Sequence, residues 1–421
     1  MRLLQRLSAL VLVMPLLLAS CGTPEPSQSP SPSPSNPDEP VLTTRNITLT
    51  VWESESAAEF IRQASAEFQK KYPNISFEIE AVEPDTAASR FRGAVTATPA
   101  YVSKPPDLIA VPHTDIRALA ETFDVLPARN QEKAEESAQA ACVQAATVDG
   151  VIYGYPVSAS TIALFYNKDL IAAPPATWEG VAGFSAEFGG QYGFIFPAGT
   201  AYYAVPFTTL GNTRLFGSDG ENAANSFLQS PPSIAGMEAF AALRSVLDVP
   251  AAELTVDATV RAFASGNAAM CIAGTWDIGA FSGVNYGVAP LPAFGDENGM
   301  GAAAPIDARV MLVSAWSEHA DEASAFADFL LTPAMQRLRL TLTGEIPSVK
   351  LTVGSPAYAA GFIKQLENAF AAPTIPEAEA FWNGFGAIAA SIWDGASPAE
   401  ILPGFNASII TPEIVEPSPE G

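Results

Sequence analysis

Histidine, cysteine and positive charge are all scarce in this chain. Its 421 residues include two histidines, His113 and His319, and three cysteines, Cys21, Cys142 and Cys271. Set so far apart, these form no His/Cys group with metal-ligand spacing, and neither a metal nor another cofactor is expected. An oxidising compartment would permit a Cys142–Cys271 disulfide, although two buried free thiols is the simpler reading. Lysine and arginine number 21 against 45 aspartates and glutamates, a formal net charge of −24. A surface of that sign repels the phosphate backbone, so nucleic acid is not an expected partner. Only 16% of the chain is charged while 48% is hydrophobic, the balance of a packed globular protein rather than a disordered one. Long apolar runs are missing too. The one candidate, Leu7 to Leu18, is too short to span a bilayer.

That run follows Arg2 and Arg6 and reads as the core of a secretory signal. It ends in Leu18-Ala19-Ser20-Cys21, which resembles a bacterial lipobox. The resemblance implies that residues 1–21 form a lipoprotein leader, with Cys21 acylated and the mature protein held on the extracytoplasmic face of a bacterial membrane. Residues 22–40 are dominated by proline, serine and acids, with nothing apolar to nucleate a core. They are expected to be a disordered, polyproline-like tether, reaching roughly 60 Å at about 3.1 Å per residue.

The body opens with strand–helix–strand patterning. Ile47 to Trp52 alternates as a strand, and Ser56 with Glu59 reads as a capping box for a helix that ends at Pro73. Ile75 to Ala81 is the next strand, so a parallel sheet is expected. Ligands of open α/β sheets bind beyond the carboxyl ends of strands, where Glu53, Ser54 and Glu55 fall. Helix N-terminus preference would equally account for both glutamates. Asp149-Gly150 predicts a tight turn, followed by strands at Val151–Tyr153 and Thr161–Tyr166, then a short helix near Asn167–Leu170. Thr177 is a cap for a helix starting at Trp178. Further on, Phe381, Phe385, Ile388 and Ile392 form one helical stripe, and Trp382 lies off it by about 100°. A large aromatic displaced from the core face needs a task outside the core.

Tyr155-Pro156, an apolar strand, Tyr166-Asn167-Lys168-Asp169-Leu170 and Pro174-Pro175-Ala176-Thr177-Trp178-Glu179 together resemble the maltose/maltodextrin-type solute-binding proteins of bacterial ABC importers. So do Pro106-Asp107-Leu108-Ile109, the run from Phe263 through Gly274 to Trp276, Asn285-Tyr286-Gly287-Val288 with Leu291-Pro292, and Ala380-Phe381-Trp382. The likeness extends from about Ile47 to Leu402. It implies an α/β protein with the two-lobe periplasmic-binding-protein fold (type II, maltose-binding-protein-like) and a three-segment hinge. The N-terminal lobe would comprise 41–158 plus 311–351, the C-terminal lobe 163–305 plus 358–410, and the crossings would lie near 158–163, 305–311 and 351–358. A monomer is expected. It would capture a sugar in the interlobe cleft and deliver it to membrane permease subunits, without catalysis.

The resemblance places His113, Thr114 and Asp115 along the cleft after the third strand. It also places Thr200 and Tyr202 in a loop there, and Ser160 in the first crossing. Val111, Thr114, Ser160 and Thr200 stand where the maltodextrin binders carry a tryptophan and acids, so the sugar itself stays open. Trp276 beside Asp277 supplies a flat apolar face next to a carboxylate, the pair of surfaces a pyranose needs. The resemblance makes Trp382 a second stacking platform. Asp307 and Arg309, charged residues in an otherwise apolar crossing, could contact ligand or form a structural ion pair. Two rivals remain: a binder of a non-sugar solute such as a polyamine, and a secreted glycoside hydrolase, which would need two carboxylates about 5–10 Å apart.

Overall fold

The computed structural model describes residues 41–96, 104–295, 301–351 and 356–410. The leader, Cys21 and the tether lie outside these residues, as do positions 352–355 of the expected third crossing.

Eleven strands are described: β1 (Ile47–Glu53), β2 (Ile75–Ala81), β3 (Leu108–Pro112), β4 (Val125–Leu126), β5 (Thr147–Val148), β6 (Val151–Ile152), β7 (Gly154–Asn167), β8 (Met270–Gly274), β9 (Tyr286–Ala289), β10 (Ala304–Ser314) and β11 (Ala369–Ala371). β5 and β6 form the hairpin expected at Asp149-Gly150, where both residues take positive φ, 51° and 77°. The main sheet runs β2-β1-β3-β10-β7-β8, with β4 and β11 also on β10 and β9 on β7. β1 is parallel to β2 and β3, as a strand–helix–strand opening requires.

Two long antiparallel strands make this a two-lobe molecule. Along β7, residues Gly154 to Thr161 pair with β10, whereas Ile162 to Asn167 pair with β8 and β9. β10 likewise pairs with β11 at its start and with β3 and β4 at its end. Each strand therefore changes its neighbours part-way along its length. The register between them slips at Arg309/Val310, the irregularity that lets a paired ribbon bend.

Local chemistry overrides the sequence pattern in several places. The two strands expected at 151–153 and 161–166 are replaced by the hairpin strand β6 and one continuous β7, because the backbone passes directly from pairing with β10 to pairing with β8 and stays largely buried through the crossing. Lys168 to Leu170 form a turn, not a helix, closed by the Asn167 carboxamide accepting the Asp169 amide at 3.0 Å. The first helix starts at Glu55 rather than Ser56, and no side-chain cap is made there. Thr177 does cap its helix, accepting the Gly180 amide at 3.0 Å. The helix Pro376–Trp393 buries Phe381, Phe385 and Ile392 fully, leaving Trp382 half-buried. Trp393 belongs to the core, its indole N–H donating to the Val249 carbonyl at 2.8 Å. Cys142 and Cys271 are both free and buried.

Candidate ligand-binding site

Strand β8 ends at Gly274, and the chain turns at once into a tight 3-10 segment, Thr275–Phe281. Asp277 fixes that turn, its Oδ2 accepting the Gly274 amide at 2.8 Å. Burial raises the Asp277 carboxyl above its usual range, against the lowering effect of that amide. The turn throws Trp276 outward, 51% exposed. Gly274 is required because the indole lies across it: a Cβ there would stand 2.1 Å from Cε2 of Trp276. Gly274→Ala should therefore displace the ring without unfolding the strand, its φ of −94° being open to any residue. We expect about tenfold weaker ligand binding, the upper end of what one stacking contact contributes, read by fluorescence titration with an unchanged thermal melt.

Tyr202 stands next to this indole. It lies on the short helix Ala201–Ala204, its ring centroid 5.9 Å from that of Trp276 and 6.0 Å from that of Trp382. The short helix approaches Pro376–Trp393 closely because Gly386 leaves room, a Cβ there lying 2.9 Å from the Gly199 carbonyl oxygen. The Tyr202 hydroxyl donates to the Pro305 carbonyl at 3.1 Å, and the Thr161 hydroxyl donates to the same oxygen at 2.8 Å. Tyr202 is thereby tied to β10, at the same oxygen through which Thr161 of β7 is held. Burial, and then the Asp307 carboxylate beside it, pushes the Tyr202 phenol well above its ordinary range. Asp307 is exposed and sits directly across from Ser160 in the β7–β10 register.

Trp382 lines a cleft of 630 Å³ together with Thr114, Arg117, Glu121, Thr374, Glu379 and Asn383, among others. That volume lies within the range of small-molecule sites. Thr114 is exposed to it, and Asp115 is half-buried next door. Burial raises the Asp115 carboxyl, although Arg92, His113 and Arg309 each oppose the rise.

Several other residues singled out in the sequence serve the walls. His113 is 3% exposed, its Nε2 2.9 Å from the Ala372 carbonyl while its Nδ1 accepts the Ala308 amide at 3.3 Å. With Nδ1 accepting that amide, Nε2 is the ring nitrogen that faces the Ala372 carbonyl as donor. Glu53 is wholly buried, 3.1 Å from Arg309 and 3.2 Å from Arg339. Arg339 in turn holds Glu345 at 2.5 Å. The hinge-side arginine thus pairs with Glu53, not with Asp307. Ser54 is buried beside Glu53, Glu55 is exposed on the helix, and Thr200 is half-buried before the Tyr202 helix. Phe281, at the end of the same 3-10 segment, is buried against Phe165 and Phe263. The sequence reading missed Arg117, Glu121, Glu379 and Asn383. Glu379 lies three before Trp382 and Asn383 four after Glu379 on the same helix, a spacing that could have flagged them.

Residues 63–362 match the family described as bacterial extracellular solute-binding protein. The chain belongs to that family.

Among relatives of this solute-binding protein is the galactooligosaccharide-binding protein of Bacillus subtilis (strain 168), 28% identical over 81% of this chain and 83% of the other. The maltooligosaccharide ABC transporter solute-binding lipoprotein of Streptococcus pneumoniae (strain ATCC BAA-255 / R6) is 26% identical over 66% and 69%. Among solved structures, a cyclo/maltodextrin-binding protein complexed with maltotetraose superposes with a TM-score of 0.76 at 24% identity, covering 87% of this chain and 97% of that one. The extracellular solute-binding protein from Staphylococcus aureus in complex with maltose gives 0.77 at 21% identity over 87% and 97%. The two-lobe fold of this solute-binding protein follows from these matches. Its family is one of transport-associated binders rather than enzymes. Among the described residues no helix is long and apolar enough to cross a membrane, and no group of acids, histidines and cysteines could hold a metal.

Proposed function

We propose that this protein is the extracytoplasmic, lipid-anchored binding component of an ABC importer for an oligosaccharide, of the maltooligosaccharide or galactooligosaccharide kind that its relatives are named for. The supporting observation is the aromatic cluster Trp276–Tyr202–Trp382, with neighbouring ring centroids 5.9 and 6.0 Å apart, and the polar groups near it: Asp307 across from Ser160, and Thr114 lining the cleft with Trp382. Sugar C–H faces stack on such rings while hydroxyls take the polar groups. The lobes, 41–158 plus 311–351 and 163–305 plus 358–410, close over the sugar because only the closed form contacts it from both sides. The closed protein then presents it to permease subunits, with Cys21 and the tether keeping it at the membrane.

The test is a thermal-shift and tryptophan-fluorescence screen of the leaderless protein against maltooligosaccharides, galactooligosaccharides and polyamines. A sugar at 100 times its dissociation constant adds about 2.7 kcal/mol of stability, so a binder shifts the melt visibly and perturbs the exposed indoles. A shift with spermidine and none with any sugar would overturn the reading. Appearance of new reducing ends on incubation would make the protein a hydrolase instead.

A further inference from the structure

The cleft has an unusual charge balance. Arg117 is the single cation among the described residues lining it, opposed by Glu121 and Glu379. Free, a guanidinium at that position would be a fork for any carboxylate, sulfate or phosphate on a ligand. It is not free. Its Nη1 lies 3.1 Å from Asp149 Oδ1 and 3.7 Å from Glu121 Oε1, while Nη2 is ion-paired with Glu221 Oε1. The Asp149 amide also donates to Glu221 Oε1 at 3.3 Å, locking the two acids together. Asp149 is set by the β5–β6 turn, and Glu221 by a loop with positive φ at Phe216, Gly217 and Gly220. Neither Asp149 nor Glu221 lines the cleft itself. Both are ion-paired with the guanidinium.

Of two other cations nearby, one is paired with a carboxylate and the other with a backbone carbonyl. Arg309 is bound to the buried Glu53, and Arg92 donates to the Ala118 carbonyl at 2.5 Å. Asp115 and the exposed Asp307 add further negative charge close to the cleft.

We infer that Asp149 and Glu221 are specificity-determining residues: by occupying both terminal nitrogens of Arg117, they deny the cleft its anion-binding fork and restrict it to uncharged glycans. This rests on the sugar reading above. A uronate, sulfate or phosphate ester entering the cleft meets Glu121 and Glu379 without a compensating partner, so rejection is built from repulsion as well as from a missing contact.

The experiment compares maltotriose and galactotriose with trigalacturonate by calorimetric titration at low salt. The wild-type protein should bind the better neutral trisaccharide at least about tenfold more tightly than the uronate, the effect expected of one weakly screened like charge. Added salt should narrow that gap, since it screens the repulsion. In Glu221→Gln, and more so in Asp149→Asn/Glu221→Gln, Arg117 loses the charge of its two closest partners and keeps only Glu121 at 3.7 Å as an ionic one: uronate affinity should rise about tenfold and neutral-sugar affinity should hold within about twofold. Equal wild-type binding of neutral and acidic trisaccharides would overturn the inference and leave the sugar reading standing. That comparison requires no variant to fold. A folded double variant with unchanged preference would overturn it as well. Absence of binding by every saccharide would remove the sugar reading and this inference with it.

Discussion

Trp382→Ala should raise the dissociation constant for the best oligosaccharide by about 30- to 150-fold, the 2–3 kcal/mol typical of a central aromatic contact. The physical reason is placement. The indole lines the cleft while its neighbours Phe381 and Phe385 hold the helix into the core. Truncation therefore removes ligand surface without opening a core cavity, and the melting temperature of the ligand-free protein should change little. Trp393→Ala, eleven residues along the same helix, is the counter-case. That ring is 1% exposed and packs edge-on against Phe196 and Phe240. Its loss should cost about 3–5 kcal/mol of stability. Titration and thermal melts of the two variants, run side by side, should give opposite patterns. Similar affinity losses in both would mean that Trp382 does not touch the ligand.

Glu53→Ala should destabilise the protein by about 3–5 kcal/mol, because it strands two arginines, one of them wholly buried, without their shared carboxylate. Burial alone would raise the Glu53 carboxyl. Arg339, Arg309 and the Ser54 amide outweigh it and hold the carboxyl below its ordinary 4.5. A group whose folded value is depressed contributes stability that is present above the unfolded value and is lost as pH falls through the folded one. The wild-type melt should accordingly drop as pH falls below about 4.5. Glu53→Gln should start lower at neutral pH and lose less of what remains in acid. Calorimetry from pH 7 to pH 3 checks both limbs, and parallel curves for the two proteins would rule out this role for Glu53.

Much of the site was legible because it depends on local pattern. Trp382 betrayed itself by falling off its helix stripe, and Trp276 by standing just after a glycine at a strand end. What stayed hidden was long-range pairing. Glu53 looked like a cleft residue because its loop follows a parallel strand. Its partners are 256 and 286 positions away, and nothing local announces them. Asp277 was paired with Trp276 as a sugar ligand, whereas its carboxylate is engaged in shaping the turn that presents the ring. Arg117, Asp149 and Glu221 come from three separate stretches that only the fold assembles. The fold itself was recognisable from its crossover wording. The extent of β7 was not, since strands were expected at 151–153 and 161–166, whereas the backbone runs unbroken from Gly154 to Asn167 while its pairing partners change after Thr161.

The position of β10 bears on how the molecule is made. It sits between β3 and β7 in the sheet yet is synthesised after both, once the whole of β8 and β9 has emerged. Until Ala304–Ser314 leaves the ribosome, the earlier strands have an empty central slot and cannot settle into their final body.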